Sequence, residues 1–423
     1  MSDSASPDVS IPQEWTAIST TTQHAATAGI STGPAASMSA RPPATRWSQD
    51  APWDLPVGGT RVDSLTGLRW FAAFGVFLFH ARDYFREIPW AEAFATIGYE
   101  GVPFFFILSG FVMTWVARPS DTAKNYYLRR FARIWPLLAV TTVGTVLLMK
   151  LWWHTPVSGQ DIVWTLTFSQ AWTTGHFMTM NVVTWTLSVE AFFYLAFPLI
   201  LPILLRRSAA TLALLGVVCV GLTAATRVAV GLLHHPAETE RLLVASPLAL
   251  TPMFVLGVCA GLLVRRGLRP PAGVGIAATL TAGTVLLCWF WTRHPDAVPY
   301  LRGEFGSFDA VLMPVFALLI ATAALSDLRG TRSPLRSRPL VKLGEWSFAY
   351  YLCHVIVLDV FARLDLGPGP GLVRDTVEMT TAALAALVVA ALLHECVEKP
   401  ADRLLRRVLL PRRPSRRSST PTT

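Results

Sequence analysis

The sequence has little charge for its length. Asp, Glu, Lys and Arg make up 15% of its 423 residues, whereas they make up about 25% of soluble domains. Hydrophobic residues account for 52%, and they fall into long runs separated by short polar segments. This pattern excludes an ordinary soluble domain and is typical of an all-α polytopic membrane protein.

Cysteine is also scarce, and its spacing has no pattern. The five cysteines lie in or beside apolar runs, with no CxxC pair and no spacing typical of a metal site. We therefore expect small buried residues and predict no disulfide, no zinc and no other metal. No repeat of 20–50 residues is present, which argues against a repeat architecture.

Residues 1–60 lack an apolar run of signal-peptide length and are rich in Ser, Thr, Ala, Pro and Gln. This composition predicts a disordered cytoplasmic tail. Residues 403–423 are basic and are predicted to form a second cytoplasmic tail, next to the anionic inner leaflet. Residues 61–402 between them are the predicted membrane domain.

Ten apolar runs are each long enough to cross about 30 Å of hydrocarbon. The loops between them alternate, since every even-numbered loop is basic and every odd-numbered loop is near neutral. By the positive-inside rule, both termini are cytoplasmic in a multi-pass protein of the plasma membrane. The same loops account for the formal net charge of +9, so no nucleic-acid partner is predicted. The runs lie near residues 65–85, 101–117, 133–153, 183–205, 209–233, 247–264, 273–292, 308–326, 346–364 and 373–395.

The first apolar run, 65–85, contains two ionisable side chains. Arg69 and His80 are eleven positions apart, so on a helix they share one face, about 16 Å apart along the axis. A charge inside a membrane span costs at least about 2.5 kcal/mol, so such residues normally face a cavity or a partner. The alternative is that Arg69 extends to the lipid headgroups and His80 lies at the interface.

The fourth run carries Glu190 at the predicted depth of His80. A histidine and a carboxylate at one depth can form a general base and the group that orients it, so both are predicted to be catalytic. A structural tie is the alternative role of Glu190.

Arg130 and Arg133 share a face at the entrance to the third run, and with Arg69 they are predicted to bind phosphates. A phosphorylated carrier held by these arginines, with a thin arm such as pantetheine that reaches about 16 Å, would present its far end at His80.

Three other features allow two interpretations each. Ser109, in an apolar Ser-Gly pair, is either a nucleophile or part of a close helix contact. His354, in the middle of the ninth run, either contacts substrate or hydrogen-bonds another helix. The outer loop contains an amphipathic segment, 162–172, which is either an interfacial helix or a lid over a cavity.

Several motifs occur in the order typical of one family, and together they cover residues 61–402. The chain resembles the acyltransferase-3 family of membrane O-acyltransferases. Members have about ten spans, use cytoplasmic acyl-CoA and esterify a hydroxyl group of a sugar, polysaccharide, lipid or antibiotic. The motifs are the Arg69-x10-His80 pair, FFFILSGF (104–111), RRFARIWP (129–136), TWTLSVEAFFY (184–194), SFAYYLCH (347–354) and EKP (398–400).

The resemblance assigns roles by position. It implies a catalytic pair of His80 and Glu190. It also implies a coenzyme A phosphate site and a substrate-binding set. The phosphate site comprises Arg69, Arg130 and Arg133, and the substrate-binding set comprises Ser109, Trp185 and His354. The chain departs from many members at Pro103, where they have an acidic residue, and in lacking the extracytoplasmic esterase-like domain of many glycan modifiers.

The activity implied is acyl transfer from acyl-CoA, with no permanently bound cofactor. The AFFYLAFP motif resembles that of the actinobacterial branch that acylates macrolides, so the expected acceptor is a small glycosylated or macrolide-type molecule. A cell-envelope polysaccharide or a lipid-linked sugar is the alternative acceptor. Among other classes of protein, a transporter or flippase suits ten basic-inside spans equally well, although no inverted repeat is visible.

Overall fold

The computed structural model describes residues 61–118, 121–232, 236–298 and 308–409, and these residues form helices and connections without a β-strand. The prediction of an all-α membrane protein is thus confirmed. The α-helices in these ranges are α1 (Asp63–His80), α2 (Pro89–Ile97), α3 (Gly101–Val116), α4 (Ala123–Leu147), α5 (Gly159–Leu166), α6 (Trp185–Leu205), α7 (Ala209–Leu232), α8 (Ala237–Ala245), α9 (Thr251–Arg265), α10 (Val274–Arg293), α11 (Asp309–Leu328), α12 (Arg338–Arg363), α13 (Leu372–Leu393) and α14 (Lys399–Leu409).

Eight helical segments in the described ranges are long and apolar enough to span a membrane. The other two predicted spans form α1 and α9, which have 18 and 15 residues. Helix α1 contains Asp63 and Arg69, which reduce its apolar character, and α9 is short for a span of about 20 residues. Two π-helical turns extend the helices, Leu148–Trp152 after α4 and His394–Glu398 between α13 and α14.

Two helices begin well before the apolar runs that predicted them. Helix α4 starts at Ala123 and α12 at Arg338, whereas the runs begin near 133 and 346. Arginine and lysine are good helix formers, so the helix continues through a charged segment that hydropathy assigns to a loop. The side chain of Thr122 caps α4 by accepting a hydrogen bond from the Asn125 amide at 3.2 Å. This early start gives Arg130 and Arg133 fixed helical positions.

Two arginines of the sixth loop cap neighbouring helices. Arg265 is buried and donates to the carbonyls of Thr114, at 2.7 Å, and Ala117, at 3.0 Å, at the end of α3. Arg266 donates to the Leu205 carbonyl at 2.8 Å, at the end of α6. These carbonyls have no partner within their own helices, so a cation there provides both hydrogen bonds and charge.

Helix α1, which carries Arg69 and His80, is fixed at its first turn. The Asp327 carboxylate, on α11, accepts hydrogen bonds from the Ser64 amide at 2.8 Å and the Ser64 hydroxyl at 2.6 Å. A carboxylate at a helix N-terminus also interacts favourably with the helix dipole. Along its length, α1 packs against α12.

Helices α3 and α9 cross at almost the closest distance that two backbones allow. A Cβ atom on Gly110 would lie 2.1 Å from the Phe254 carbonyl oxygen, and one on Gly257 would lie 2.0 Å from that of Ile107. The packing interpretation of the Ser109-Gly110 pair is therefore confirmed for the glycine. Small residues at such crossings allow close approach in membrane proteins.

Gly257→Ala is expected to destabilise the bundle because the new methyl group must displace backbone atoms of α3. Overpacking a core costs about 1–3 kcal/mol, which corresponds to a fall of about 2–6 °C in the midpoint of thermal unfolding in nanodiscs. Gly221→Ala is the matched control, since nothing lies within 4 Å of a Cβ at that position. An equal midpoint for the two variants would contradict the crossing described here.

The segment predicted to form an outer loop is partly helical and packs onto the bundle. Helix α5 ends at Leu166, earlier than the predicted segment 162–172, because Phe168 adopts a left-handed conformation with φ of 57°. The Ser188 hydroxyl, on α6, donates to the Phe168 carbonyl at 2.6 Å and fixes this turn. The 1–60 tail lies outside the described residues, and α14 continues through Leu409, so the segment from 403 is helical at its start.

Candidate functional site

A cavity of about 160 Å³, with a mainly aromatic and aliphatic wall, lies within the bundle. Helices α1, α3, α4, α6 and α12 each contribute side chains to its wall, so sequence positions that are far apart meet here. One water needs about 10–15 Å³ of such space, so the cavity has room for several waters or for a slender chain. Its polar lining is Arg69, Ser109, Arg130, Arg133, Thr186, Glu190, Tyr194, Ser347 and Tyr351.

Five of the residues predicted from sequence therefore line one cavity. They are Arg69, Ser109, Arg130, Arg133 and Glu190. The spacing of Arg130 and Arg133 predicted a shared face, and both side chains reach the cavity. This meeting depends on the tertiary fold, because the five residues come from four helices.

The three arginines differ in how they are held. The Arg69 side chain makes no hydrogen bond or ion pair with any described residue. The Arg130 guanidinium lies over the rings of Tyr126 and Tyr194, at 5.6 and 5.7 Å, and its buried Nε has no acceptor. Arg133, in contrast, forms an ion pair with Glu398. Arg69 and Arg130 thus have no carboxylate partner among the described residues, which leaves their charge and donors available for an anionic ligand.

Glu190 has a partner that the sequence reasoning missed. The Tyr194 hydroxyl donates to the Glu190 carboxylate one helical turn away. The i, i+4 spacing of these residues is the signal that could have found the pair. Within the described part of the chain, Glu190 makes no hydrogen bond to His80, so the predicted pairing of these two side chains is wrong. Their separate roles stay predictions.

His80 instead contacts His354. The His80 Nδ1 lies 3.2 Å from the His354 Nε2 and 2.9 Å from the Val76 carbonyl oxygen. His354 is fully buried, and its Nδ1 lies 2.8 Å from the Tyr351 carbonyl oxygen. Of the two interpretations of His354, the structure supports the hydrogen bond to another helix.

These contacts define the tautomers of the neutral rings. A carbonyl only accepts, so Nδ1 of His354 must carry hydrogen, and its Nε2 is left with a lone pair facing His80. Nδ1 of His80 likewise carries hydrogen, which it donates to the Val76 carbonyl and to His354. Nε2 of His80 is therefore unprotonated, and it makes no hydrogen bond with any described residue. This nitrogen can accept a proton.

Two aromatic rings separate the cavity from the histidine pair. Phe105 and Tyr351 both line the cavity, and their ring centroids are 6.1 Å apart. The Tyr351 ring lies 5.9 Å from that of His354. His80 does not line the cavity, and the Tyr351 ring links the cavity wall to the histidine pair.

The remaining residue predicted to contact substrate, Trp185, packs inside the protein. It is buried and stacks on Phe177 with ring centroids 5.1 Å apart, and it does not line the cavity. His354 does not line this cavity either, and the substrate contacts of Trp185 and His354 stay predictions. No cluster of metal-ligating side chains was found in the described ranges, and the five cysteines are free.

The helices and the cavity define a multi-pass membrane protein with an internal, arginine-rich site. Residues 62–395 match the family model Acyl_transf_3, described as an acyltransferase domain. The chain therefore belongs to the acyltransferase-3 family. No solved structure matches it significantly.

Known relatives support the same family. The chain is 35% identical over 395 residues to acyltransferase MdmB of Streptomyces mycarofaciens, covering 87% of this chain and 98% of that protein. It is 28% identical to the exopolysaccharide production protein ExoZ of Rhizobium meliloti, covering 74% and 91%. It is 24% identical to the peptidoglycan O-acetyltransferase OatA of Listeria monocytogenes, covering 80% of this chain and 55% of that protein.

Proposed function

We propose that the protein transfers an acyl group from acyl-CoA to a hydroxyl group of a small glycosylated or macrolide-type acceptor at the cytoplasmic membrane. The observation that carries this proposal is the His80–His354 pair, which leaves one unprotonated nitrogen near an arginine-lined cavity. Membership of an acyltransferase family supports acyl transfer, and the arginines supply the charge that a phosphorylated donor needs.

In the proposed reaction, His80 is the general base. Its Nε2 takes the proton of the acceptor hydroxyl while the hydroxyl oxygen attacks the thioester carbonyl carbon. The resulting tetrahedral intermediate collapses when the carbon–sulfur bond breaks. The coenzyme A thiolate then leaves with the proton that His80 holds. No covalent acyl-enzyme is required, because the thioester already provides the driving force.

His354 acts on this reaction through His80. Its Nε2 lone pair accepts the hydrogen on Nδ1, which fixes the orientation of the His80 ring. When His80 gains a proton, that hydrogen bond becomes charge-assisted and strengthens. The arrangement resembles the histidine orientation that a carboxylate provides in other enzymes, with a neutral imidazole in its place.

The arginines and Glu190 form the donor side of the site. Arg69 and Arg130 have unpaired N–H groups that can donate hydrogen bonds to the anionic or carbonyl groups of the acyl thioester. Glu190, held by Tyr194, places a compensating carboxylate among the guanidiniums when no ligand is bound. We infer that its role is in this charge balance, since it does not contact His80.

A second acceptor class has specific support. ExoZ is named for exopolysaccharide production and OatA for peptidoglycan acetylation, so a cell-envelope glycan or lipid-linked sugar is the alternative acceptor. The match to acyltransferase MdmB covers 98% of its length and supports acyl transfer, whereas the choice of a small acceptor rests on the AFFYLAFP motif.

The test is release of free thiol from acetyl-, propionyl- and longer acyl-CoA by the purified protein in nanodiscs. Parallel reactions contain pooled macrolides, sugars or soluble cell-wall fragments. Acceptor-dependent release, with an ester product detected by mass spectrometry, supports the proposal. Ester formed only with wall fragments moves the acceptor to the envelope class. If no thiol is released with any of the donors in any of the pools, the proposed enzyme function is contradicted.

A further inference from the structure

A second cavity of about 370 Å³ lies where α3 ends and α4 begins. Four arginines line it, Arg118, Arg129, Arg130 and Arg406, and the acidic residue in its described lining is Asp121. An array of four guanidiniums with one carboxylate is suited to a ligand with several negative charges. This cavity is polar and basic, whereas the wall of the first is mainly aromatic and aliphatic.

The arginines in this second cavity are weakly held. The Arg118 side chain makes no hydrogen bond or ion pair with any described residue. Arg129 pairs with Asp121 at 2.9 Å, and Arg406 pairs with Asp402 at 2.8 Å. Both pairs are partly exposed to solvent, and such pairs contribute little to stability. They can exchange their carboxylates for phosphate oxygens at small cost.

The two cavities share part of their walls. Met113 and Arg130 line both. A ligand with a compact anionic end in the second cavity would therefore have its next atoms at the entrance of the first. The wall shared by Met113 and Arg130 suits a narrow, uncharged arm, because one side is apolar and the other supplies hydrogen-bond donors.

We propose that the second cavity holds the phosphate-bearing nucleotide end of the acyl thioester donor, with Arg118 and Arg406 as phosphate ligands. The proposal rests on the proposed function, since it divides the donor between the two cavities. The nucleotide end lies among Arg118, Arg129 and Arg406, and the arm passes Met113 and Arg130 into the first cavity. It also makes α14, through Arg406, part of the donor site.

The phosphate site predicted from sequence is changed by this proposal. Arg69 and Arg133 line the first cavity alone, so they meet the arm or the thioester instead of the nucleotide phosphates. Arg130 keeps a donor contact because it lies between the cavities. Arg118 and Arg406 were not predicted, because loop and tail arginines have no sequence signal that separates ligands from solvated charges.

The experiment compares two donors that differ only in the nucleotide, acyl-CoA and the corresponding acyl-pantetheine. Arg118→Gln and Arg406→Gln are each expected to lower the ratio of kcat/KM for acyl-CoA to kcat/KM for acyl-pantetheine by about tenfold, since each removes a charge-assisted hydrogen bond. Arg403→Gln is the matched control. It removes an exposed arginine from the same helix that lines neither cavity, and it should keep the ratio. An unchanged ratio in the first two variants overturns the proposal.

Two further measurements separate the possible causes of failure. Calorimetric binding of adenosine 3′,5′-bisphosphate tests the site without catalysis, so it decides the question even if no thioester is consumed. Weaker binding in Arg118→Gln and Arg406→Gln supports the site, and equal binding in all proteins contradicts it. The reactions use phosphatidylcholine nanodiscs. An effect of the variants that occurs only when phosphatidylglycerol is added would assign the arginines to lipid headgroups instead.

Discussion

His80→Ala is expected to reduce kcat for acyl transfer by about 10²–10⁴-fold, the usual contribution of a general base. KM for the donor should change little, because Arg69, the cavity arginine on the same helix, lies about 16 Å away along α1. The measurement is acceptor-dependent thiol release under saturating donor. Residual thiol release that does not depend on acceptor must be subtracted. Activity within a few-fold of the original protein would show that His80 is not the base.

The hydrogen bond between His80 and His354 predicts that changes at His354 also lower kcat. His354→Phe removes the lone pair that orients His80 and should lower kcat by about 10–100-fold, the range found for groups that orient a catalytic histidine. His354→Gln keeps an acceptor atom and should recover most of this loss. A structural role alone would lower the amount of folded protein in both variants without separating their kcat values.

Arg133→Gln is expected to have the largest effect on stability. The change removes the guanidinium partner of Glu398, whose side chain is only 1% exposed and keeps only the His394 ring, at 3.0 Å, as a partner among the described residues. Removing one partner of a buried ion pair typically costs about 3–5 kcal/mol, because the other charge is left buried. The midpoint of thermal unfolding in nanodiscs should fall by about 6 °C or more.

The ion pair also predicts an asymmetry between its two partners. Glu398→Gln leaves Arg133, which is 31% exposed, so it should destabilise the protein less than Arg133→Gln does. The double variant should recover much of the loss, since no buried charge remains. Glu395→Gln is the control from the same π-helical turn, and its exposed pairs with Lys342 and Lys399 should contribute less than about 1 kcal/mol. Equal effects of Arg133→Gln and Glu395→Gln would contradict the burial of the pair.

Hydropathy located the membrane-spanning segments well, but it did not locate the ends of the helices. The apolar run near 133–153 gave the membrane-embedded part of α4, which in fact begins at Ala123. Arginine-rich turns are polar, and arginine is also a good helix former. At these positions the helix therefore continues beyond the end of the apolar run. The predicted orientation of the termini depends on loop charge and stays a prediction.

The candidate site was predictable where it depends on helical spacing. Arg130 and Arg133 were expected on one face, and both reach the cavity. The partner of His80 was not predictable in this way. Depth along the membrane allowed Glu190 as readily as His354, and the choice depends on which face of α12 turns toward α1. Such rotation is set by packing, including the Gly344 contact with the Thr66 carbonyl on α1, and hydropathy carries no information about it.

The single exposed thiol among the five cysteines offers a built-in position for a reporter group. Cys396 is exposed, whereas the four others are buried. It lies in the π-helical turn that also carries Glu398, the partner of Arg133 in the cavity wall. A fluorophore attached by maleimide chemistry at Cys396 would therefore sense rearrangement of that turn when donor enters. The same thiol adds one background equivalent to any thiol-release assay, and Cys396→Ser would remove it.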